Sequence, residues 1–420
     1  MNEIAEPVER VIGLDTHPDS FTAAILYGTT PANAVIEKIF NKVPLAHLSR
    51  WAQKYTTIRD RFVLEASGNS FQVVRTLAEI QRTGTVLESC HLGKLKEAHA
   101  NNDKISAVRI GKAYLAGTAK EVWVPDPQTQ ERRDWLHAYR KAVKRTTQVR
   151  ARLRSYLSDN GVRLHHVRLT EETVAEAKIR AARSWSDRQW QVIQNLLLEL
   201  RHANQQREAW RSLIAQEVLT DPQLLSLARL CGVRDLVAFA LGAFIGNIQR
   251  FGHPKKLVKY VGLDPAFDES GEREWRGGIG GHGNSYLRSL LVEAAQAILR
   301  CSQTPLARWG RKLLGRKGVK NLAVAAMARK LTVAVWYLLM GKWTAVEEIE
   351  DRLKIKVGKM ISEVSTEALK RLGKTRKQIR ELAYQNLRNA QVLVIGDHVY
   401  VSQPGKLTVG FPAPIVQPSA

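Results

Sequence analysis

The chain has 420 residues, of which 44% are hydrophobic and 25% are charged. This composition is typical of a folded globular protein with room for two or three domains, and it excludes an intrinsically disordered chain. Lysine and arginine number 64 against 40 aspartate and glutamate residues, so the formal net charge of +24 predicts a polyanionic partner, foremost nucleic acid.

The cysteines indicate neither a disulfide framework nor a zinc site. Cys90, Cys231 and Cys301 are far apart in the sequence and form no CxxC pair, as expected for a protein of the reducing cytoplasm. We also expect no membrane span. The N-terminus lacks a basic-then-apolar signal pattern, and the most apolar stretch carries Arg329 and Lys330 at its centre.

Two predicted strands in the first third end in a carboxylate. Residues 10–26 form two β-type runs around a turn, which predicts a hairpin with Asp15 at the end of its first strand. Residues 60–65 are typical of a buried strand that ends in Glu65, and a helix is predicted over residues 71–81.

A third carboxylate, Asp103, opens a helix predicted after the strand at 85–88. Carboxylates on separate elements around a sheet are the hard oxygen ligands that Mg²⁺ requires at a phosphoryl-transfer site. Each also has a structural interpretation. Asp15 can cap a turn, Glu65 can be an ordinary charge at the end of a strand, and Asp103 can cap its own helix.

Two long helices are predicted in the middle of the chain. Residues 132–156 place apolar residues at helical intervals and basic residues on the other faces, which indicates a solvated basic face or contacts to backbone phosphates. Residues 184–218 repeat apolar residues at steps of three and four, which favours a helical arm or a short coiled coil.

A serine lies in a glycine-rich segment of the last third. Ser270 is followed by Gly271 and by the run 277–281, before a helix that Asn284 and Ser285 can cap. Nearby guanidinium groups come from Arg273, Arg276 and Arg288. A hydroxyl, a loop backbone and guanidinium groups suit a phosphate-handling loop, and an ordinary turn is the alternative.

The segments GLDTHPDSFTAAIL, LEASGN and NNDKISA, followed by the first long helix, resemble the amino-terminal domain of one family of mobile-element enzymes. This is the "one-ten" family of insertion-sequence transposases, which includes the Piv-type DNA invertases. Residues 250–343 resemble the carboxy-terminal domain of the same family.

The resemblance implies an α/β plus α fold. Its parts are a RuvC-like (ribonuclease-H-like) metal-binding nuclease domain with a mixed sheet at 8–160, a helical coiled-coil arm at 161–222, and a mostly helical serine-containing transposase domain at 223–343. Residues 344–420 lie outside the resemblance, and their own pattern predicts a basic helical extension with a C-terminal hairpin and tail.

The resemblance also implies the site residues. In the family, four acidic residues in the order Asp-Glu-Asp-Asp hold Mg²⁺ or Mn²⁺, and the first three correspond to Asp15, Glu65 and Asp103. The fourth position is Ser106, which shares a helical face with Asp103 and can hold a water molecule where the family has a carboxylate. The nucleophilic serine of the family corresponds to Ser270.

By this resemblance the protein is a DNA transposase or recombinase that forms a 5′-phosphoserine link and releases a 3′-hydroxyl. We expect a composite site in which the two domains, from one subunit or from two, bring Ser270 to a metal-bound phosphodiester. Three arginines are candidate phosphate clamps, namely Arg273, Arg276 and Arg288.

The implied partners are donor and target DNA, a structured non-coding bridge RNA, and further copies of the chain in a homodimer or homotetramer. Two alternatives remain open. One is a metal-only nuclease or junction resolvase in which water attacks, and the other is a catalytically impaired nucleic-acid-binding relative, which the serine at position 106 motivates.

Overall fold

The computed structural model describes residues 10–89, 102–163, 172–270, 273–280, 282–341, 350–389, 392–395 and 398–401. The chain divides into two compact units, Met1–Asp126 and Pro127–Ala420.

A six-stranded mixed sheet forms the centre of the first unit, in the strand order β3-β2-β1-β4-β5-β6. The strands are β1 (Val11–Thr16), β2 (Ser20–Tyr27), β3 (Val35–Pro44), β4 (Arg61–Glu65), β5 (Thr83–Leu87) and β6 (Glu121–Val122). Strands β1, β4 and β5 are parallel, whereas β2, β3 and β6 run antiparallel to their neighbours. The predicted hairpin is confirmed, with Val11 opposite Leu26 and Thr16 opposite Phe21.

Helices cover both faces of this sheet because alternate strand residues point to opposite sides. On one face, α1 (Leu48–Tyr55) and α2 (Ser70–Glu79) pack on a core of strand residues that includes Ile12, Leu14, Phe62 and Leu64. On the other face, α3 (Asp103–Leu115) packs through Ile110 and Ala113 on a smaller core formed by Val11, Val63 and Leu87.

Helix α3 approaches β1 through glycines. A Cβ atom on Gly13 would overlap the carbonyl oxygen of Ala107, and a Cβ atom on Gly111 would overlap the side chain of Leu26. Each glycine therefore leaves room that any other residue would fill, and α3 is held at a fixed height above the sheet.

The described part of the second unit is mostly helical. Its helices are α4 (Pro127–Asp159), α5 (Glu172–Ala182), α6 (Asp187–Thr220), α7 (Pro222–Leu227), α8 (Asp235–Ile245), α9 (Pro254–Val261), α10 (Ser285–Cys301), α11 (Pro305–Lys317), α12 (Lys320–Leu339), α13 (Glu350–Glu363), α14 (Thr366–Leu372) and α15 (Arg376–Asn389). Two antiparallel strand pairs accompany them, β7 (Pro265–Ser270) with β8 (Arg273–Ile279) and β9 (Val392–Ile395) with β10 (His398–Val401).

The two long predicted helices are confirmed as α4 and α6, and they pack against each other. Near the start of α4, the buried guanidinium of Arg132 donates to Glu217 at 2.9 Å and also to Asp221. Further along, the hydroxyl of Thr146 donates to the carbonyl of Ala203 at 3.2 Å. The far ends of α4 and α6 form a separate small core with α5, so the pair extends as a packed arm.

Within the described ranges, α12 is long and apolar enough to cross a membrane by length and composition. Half of its apolar window is buried inside the second unit, where Met327, Leu331 and Val335 are fully buried. A core helix of this kind passes the same test of length and composition.

The contact between Gly13 and α3 gives a first prediction. The substitution Gly13→Ala introduces a methyl group against the backbone of Ala107. We expect it to lower the free energy of unfolding by about 1–3 kcal/mol, because the helix must move to accommodate the methyl group. Urea unfolding of the full chain, followed by circular dichroism, measures the effect.

Gly68→Ala is the matched control, since nothing lies within 4 Å of a Cβ atom at that position. An equal loss of stability in the two variants would contradict the close packing at Gly13.

Candidate metal and serine sites

Asp15 and Glu65 lie at the same edge and on the same face of the sheet. Strands β1 and β4 run parallel, and their register places Leu14 beside Leu64. Asp15 follows Leu14 in β1, and Glu65 follows Leu64 in β4. Because residues two apart in a strand share a face, Asp15 lies on the side of Gly13, which α3 covers.

Asp103 is the first residue of α3, and Asn102 is the residue that caps the helix. The Asn102 side chain accepts from the amide of Ile105 at 2.9 Å, so the interpretation of Asp103 as its own cap is wrong. Asp103, Ala107 and Gly111 follow each other at four-residue steps and therefore share one face of the helix. The glycine contacts that seat this face on β1 thus bring Asp103 to the end of the strand at Asp15.

The structure adds a histidine that the sequence analysis did not identify as a site residue. One ligand atom each from Asp15, His17 and Asp103 lie within 4.8 Å of one another. The Nε2 atom of His17 is 3.5 Å from a carboxylate oxygen of Asp103. In the sequence His17 falls in the turn of the predicted hairpin, and no spacing in the sequence relates it to Asp103.

Two loops are joined beside this cluster. The Asn69 side chain donates from Nδ2 to the backbone carbonyl of His17 at 2.8 Å and accepts from the hydroxyl of Thr16 at 3.2 Å. The hydroxyl of Ser67 also donates to Asn69, at 3.0 Å. The turn after β1 and the loop after β4 therefore hold each other in place at the carboxylate edge.

The pKa of Asp15 is raised above its ordinary value of 3.8, chiefly because burial removes water from its carboxylate. The negative charges of Asp103 and Glu65 raise this pKa further, whereas the positive charges of His17 and Arg109 lower it. A half-buried carboxylate beside two others is a strained arrangement that a cation relieves. The carboxylate oxygens are the ligand type that Mg²⁺ and Mn²⁺ prefer, and the imidazole adds one nitrogen donor to the set.

Ser106 lies one turn after Asp103 and is buried, with 6% of its surface exposed. Its hydroxyl accepts from the guanidinium of Arg109 at 3.4 Å. The position that carries a carboxylate in the resembling family thus carries a neutral group here, next to a cation. Its role as a metal ligand stays a prediction.

In the second unit, Ser270 is the last residue of β7 and stands opposite Arg273 on β8. The expected loop is therefore wrong in its main part, because residues 265–270 and 273–279 pair as an antiparallel ribbon. Gly271 and Glu272 lie outside the described residues. Backbone pairing forms this ribbon even though glycines interrupt the apolar pattern of β8. The side chains of Ser270, Arg273 and Arg276 lie outside the described part of the chain.

The base of this ribbon is tied to two helices. Arg288 of α10 donates from Nη1 to the carbonyl of His282 at 2.7 Å and to that of Gly262 at 3.3 Å. Gly262 ends α9 in the left-handed conformation, with φ of 77°. The amide of Asn284, the confirmed cap of α10, donates to the carbonyl of Tyr260 at 2.8 Å. Arg288 thus holds together the two chain segments from which the ribbon emerges.

Asp15→Asn separates stability from metal binding. Because the folded pKa of Asp15 is raised, the ionised carboxylate destabilises the metal-free protein as the pH rises above 3.8 and through the folded pKa. We expect Asp15→Asn to raise the Tm at pH 7 in EDTA, and to abolish the further rise in Tm that Mn²⁺ gives the unmodified protein. Differential scanning calorimetry with EDTA or Mn²⁺ measures both changes. A lower Tm of the variant in EDTA would show that the carboxylate stabilises the apo fold.

Arg288→Lys tests the base of the ribbon. The amide of Gly280 donates to the carbonyl of Asp264 at 3.0 Å, and that of Asn284 donates to Tyr260, so both report on the base of the ribbon. A lysine cannot present a planar fork to several carbonyl oxygens. We therefore expect these two amides to exchange with solvent at least about tenfold faster, the change that a loss of about 1.4 kcal/mol produces. Hydrogen–deuterium exchange measures these amides. Arg300→Lys, on an exposed position of the same helix, is the control. Equal exchange in both variants would contradict the holding role of Arg288.

Comparisons with known proteins all find transposases. A family model described as the IS116/IS110/IS902 family of transposases matches residues 225–309, which include the β7–β8 ribbon and Arg288. The chain is 24% identical over 287 residues to the transposase for insertion sequence element IS1111A of Coxiella burnetii, across 67% of this chain and 78% of that protein.

Two further relatives are matched over less than two thirds of their own length. A probable family 20 transposase of Pseudomonas aeruginosa is 30% identical over 145 residues, across 34% of this chain and 41% of that protein. A putative transposase, y4qE of Sinorhizobium fredii, is 26% identical over 241 residues, across 56% of this chain and 57% of that protein. The matching family model and these relatives, each of which is described as a transposase, support assignment of the chain to the IS116/IS110/IS902 family.

Proposed function

We propose that this transposase cuts and rejoins DNA with a metal-assisted serine nucleophile. The observation that carries the proposal is that ligand atoms of Asp15 and Asp103, together with one of His17, lie within 4.8 Å of one another. Glu65 follows Leu64, which pairs with Leu14 in the neighbouring strand, and its negative charge raises the pKa of Asp15. Repulsion among these carboxylates supports a cation at this edge of the sheet.

We assign the first unit to the RuvC-like class of nuclease domains. The assignment is supported by the mixed sheet, with antiparallel strands on one side of β1 and parallel strands on the other. It is also supported by the order in which the acidic residues occur along the chain. Asp15, Glu65 and Asp103 hold Mg²⁺ or Mn²⁺ in this proposal, and Ser106 contributes through a bound water.

When bound, the divalent cation supplies positive charge that favours ionisation of an attacking hydroxyl and neutralises charge on the phosphate. Ser270 supplies that hydroxyl. Its Oγ–P bond forms as the P–O3′ bond of the DNA breaks, the serine loses its proton, and the departing 3′ oxygen takes one up. The phosphoserine link preserves the bond energy, so a 3′-hydroxyl can rejoin a strand without ATP.

Arginines supply positive charge around the reacting phosphate in this proposal. Arg273 stands directly opposite Ser270 in the ribbon, and Arg276 lies further along the same strand, opposite Phe267. Arg288 is directed to backbone carbonyls, so its contribution begins with holding the ribbon that carries the serine. Charge near the phosphate stabilises the pentacovalent state more than the starting diester.

The partners in this proposal are donor and target DNA, a structured bridge RNA, and a second copy or further copies of the chain. Cations on the exposed side of α4 support a nucleic-acid partner, namely Lys141, Lys144, Arg145 and Arg154. With a net charge of +24, the chain can neutralise the backbones of both DNA and RNA. If base pairing with the RNA selects the sites, the protein itself reads mainly backbone and shape.

Ser270→Ala tests the nucleophile. We expect the unmodified protein, purified with its RNA and supplied with Mn²⁺, to leave a covalent protein–DNA adduct that denaturing gels resolve. Ser270→Ala and Asp15→Asn should each reduce that adduct at least about a thousandfold, a loss of roughly 4 kcal/mol of transition-state stabilisation. Ser289→Ala, an exposed serine on α10, is the control.

The outcomes separate the alternatives. Cleavage by Ser270→Ala without an adduct would establish the metal-only nuclease. Failure of the unmodified protein to cleave or recombine with either metal would establish the impaired, nucleic-acid-binding relative. Activity that survives complete ribonuclease digestion would overturn the guiding role of the RNA.

A further inference from the structure

We propose that His17 is a nitrogen ligand of the metal, that it takes the place of the carboxylate missing at Ser106, and that the site therefore selects Mn²⁺ over Mg²⁺. This inference rests on the proposed metal-dependent function. It concerns a residue outside the acidic set, and it names the cofactor that this particular chain uses.

The distances place His17 within the ligand shell of one ion. Adjacent ligands of an octahedral ion lie roughly 3 Å apart when each bond is about 2.1 Å long. The Nε2 atom of His17 is 3.5 Å from Asp103, and the ligand atoms of Asp15, His17 and Asp103 all lie within 4.8 Å of one another. Side-chain movements on the order of 1 Å therefore suffice to gather all three around a cation.

The backbone of His17 is fixed while its side chain stays accessible. Its amide donates to the carbonyl of Ser20 at 2.8 Å, and its own carbonyl accepts from Asn69 at 2.8 Å. These bonds hold the turn on the carboxylate edge. The imidazole is 47% exposed, so an ion can reach it from solvent without any rearrangement of the core.

Position 106 cannot supply the missing charge. Ser106 carries a neutral hydroxyl that is buried and accepts from Arg109 at 3.4 Å. A cation at Asp15 and Asp103 thus has one carboxylate fewer than in an all-acidic set. His17 adds a nitrogen donor without adding negative charge. The ligand set of the ion then contains both nitrogen and oxygen atoms instead of oxygen atoms alone.

The donor set determines the preferred ion. Mg²⁺ favours oxygen ligands and retains several waters, whereas imidazole suits transition metals, and Mn²⁺ accepts both imidazole and carboxylate. Loss of His17 should therefore weaken Mn²⁺ binding much more than Mg²⁺ binding. The competing explanation is that His17 forms an ion pair with Asp103 and never contacts the metal.

Pulsed electron paramagnetic resonance of Mn²⁺ distinguishes the two, because a directly bound imidazole couples its ¹⁴N nucleus to the electron spin. With the full chain we expect one tightly bound Mn²⁺ and a ¹⁴N signal. In His17→Ala and His17→Gln the signal should vanish, and the Kd for Mn²⁺ should rise about tenfold or more, while the Kd for Mg²⁺ changes less. His47→Ala, an exposed histidine of the same unit, is the control.

Each remaining result has one meaning. Two results would overturn the role of His17 and leave the carboxylate site standing. In the first, Mn²⁺ binds to the unmodified protein without ¹⁴N coupling. In the second, the coupling persists in both His17 variants while their Tm is unchanged. Absence of Mn²⁺ binding to the unmodified protein, or binding that Asp15→Asn does not weaken, overturns the metal site of the proposed function itself.

Discussion

The contact on which the first unit depends is the close packing of α3 against β1 through Gly13 and Gly111. It fixes the height of the helix above the sheet. Because Asp103 lies on the same helical face as the contact residues, the packing also sets the separation of Asp103 from Asp15. Core packing and site geometry are therefore one constraint in this unit, and a change in helix position cannot leave the carboxylates where they are.

The same arrangement creates an electrostatic conflict. Burial and two neighbouring carboxylates disfavour the ionised form of Asp15 and raise its pKa, so ionisation of this group lowers the stability of the folded apo protein. The same negative charge that lowers local stability in the apo protein is the charge that a bound cation would neutralise. The neighbouring His17 and Arg109 lower the pKa of Asp15 and so offset part of this conflict.

Strong periodicity made much of this fold predictable. The hairpin at Asp15, the strand ending in Glu65 and the two long helices follow from patterns of period two and 3.6. Strand β3 does not, because as an edge strand it is largely exposed and lacks clean alternation. The ribbon at Ser270 was not predicted, because glycines interrupt the apolar pattern of β8. His17 could not be found from composition, since its proximity to Asp103 arises from tertiary packing across the sheet.

The ribbon places Ser270 far from its fixed base, so a small rotation at the base produces a large displacement of Ser270. Strand β7 has six residues, so the serine lies roughly 17 Å from the fixed end of the strand at a rise of about 3.3 Å per residue. A rotation of about 10° at the base then displaces the backbone of Ser270 by roughly 3 Å. For the nucleophile that we propose, this is the difference between lying within reach of phosphorus and lying outside it. The contacts of Arg288 and the backbone of Gly262 consequently set how precisely the far end of the ribbon is positioned.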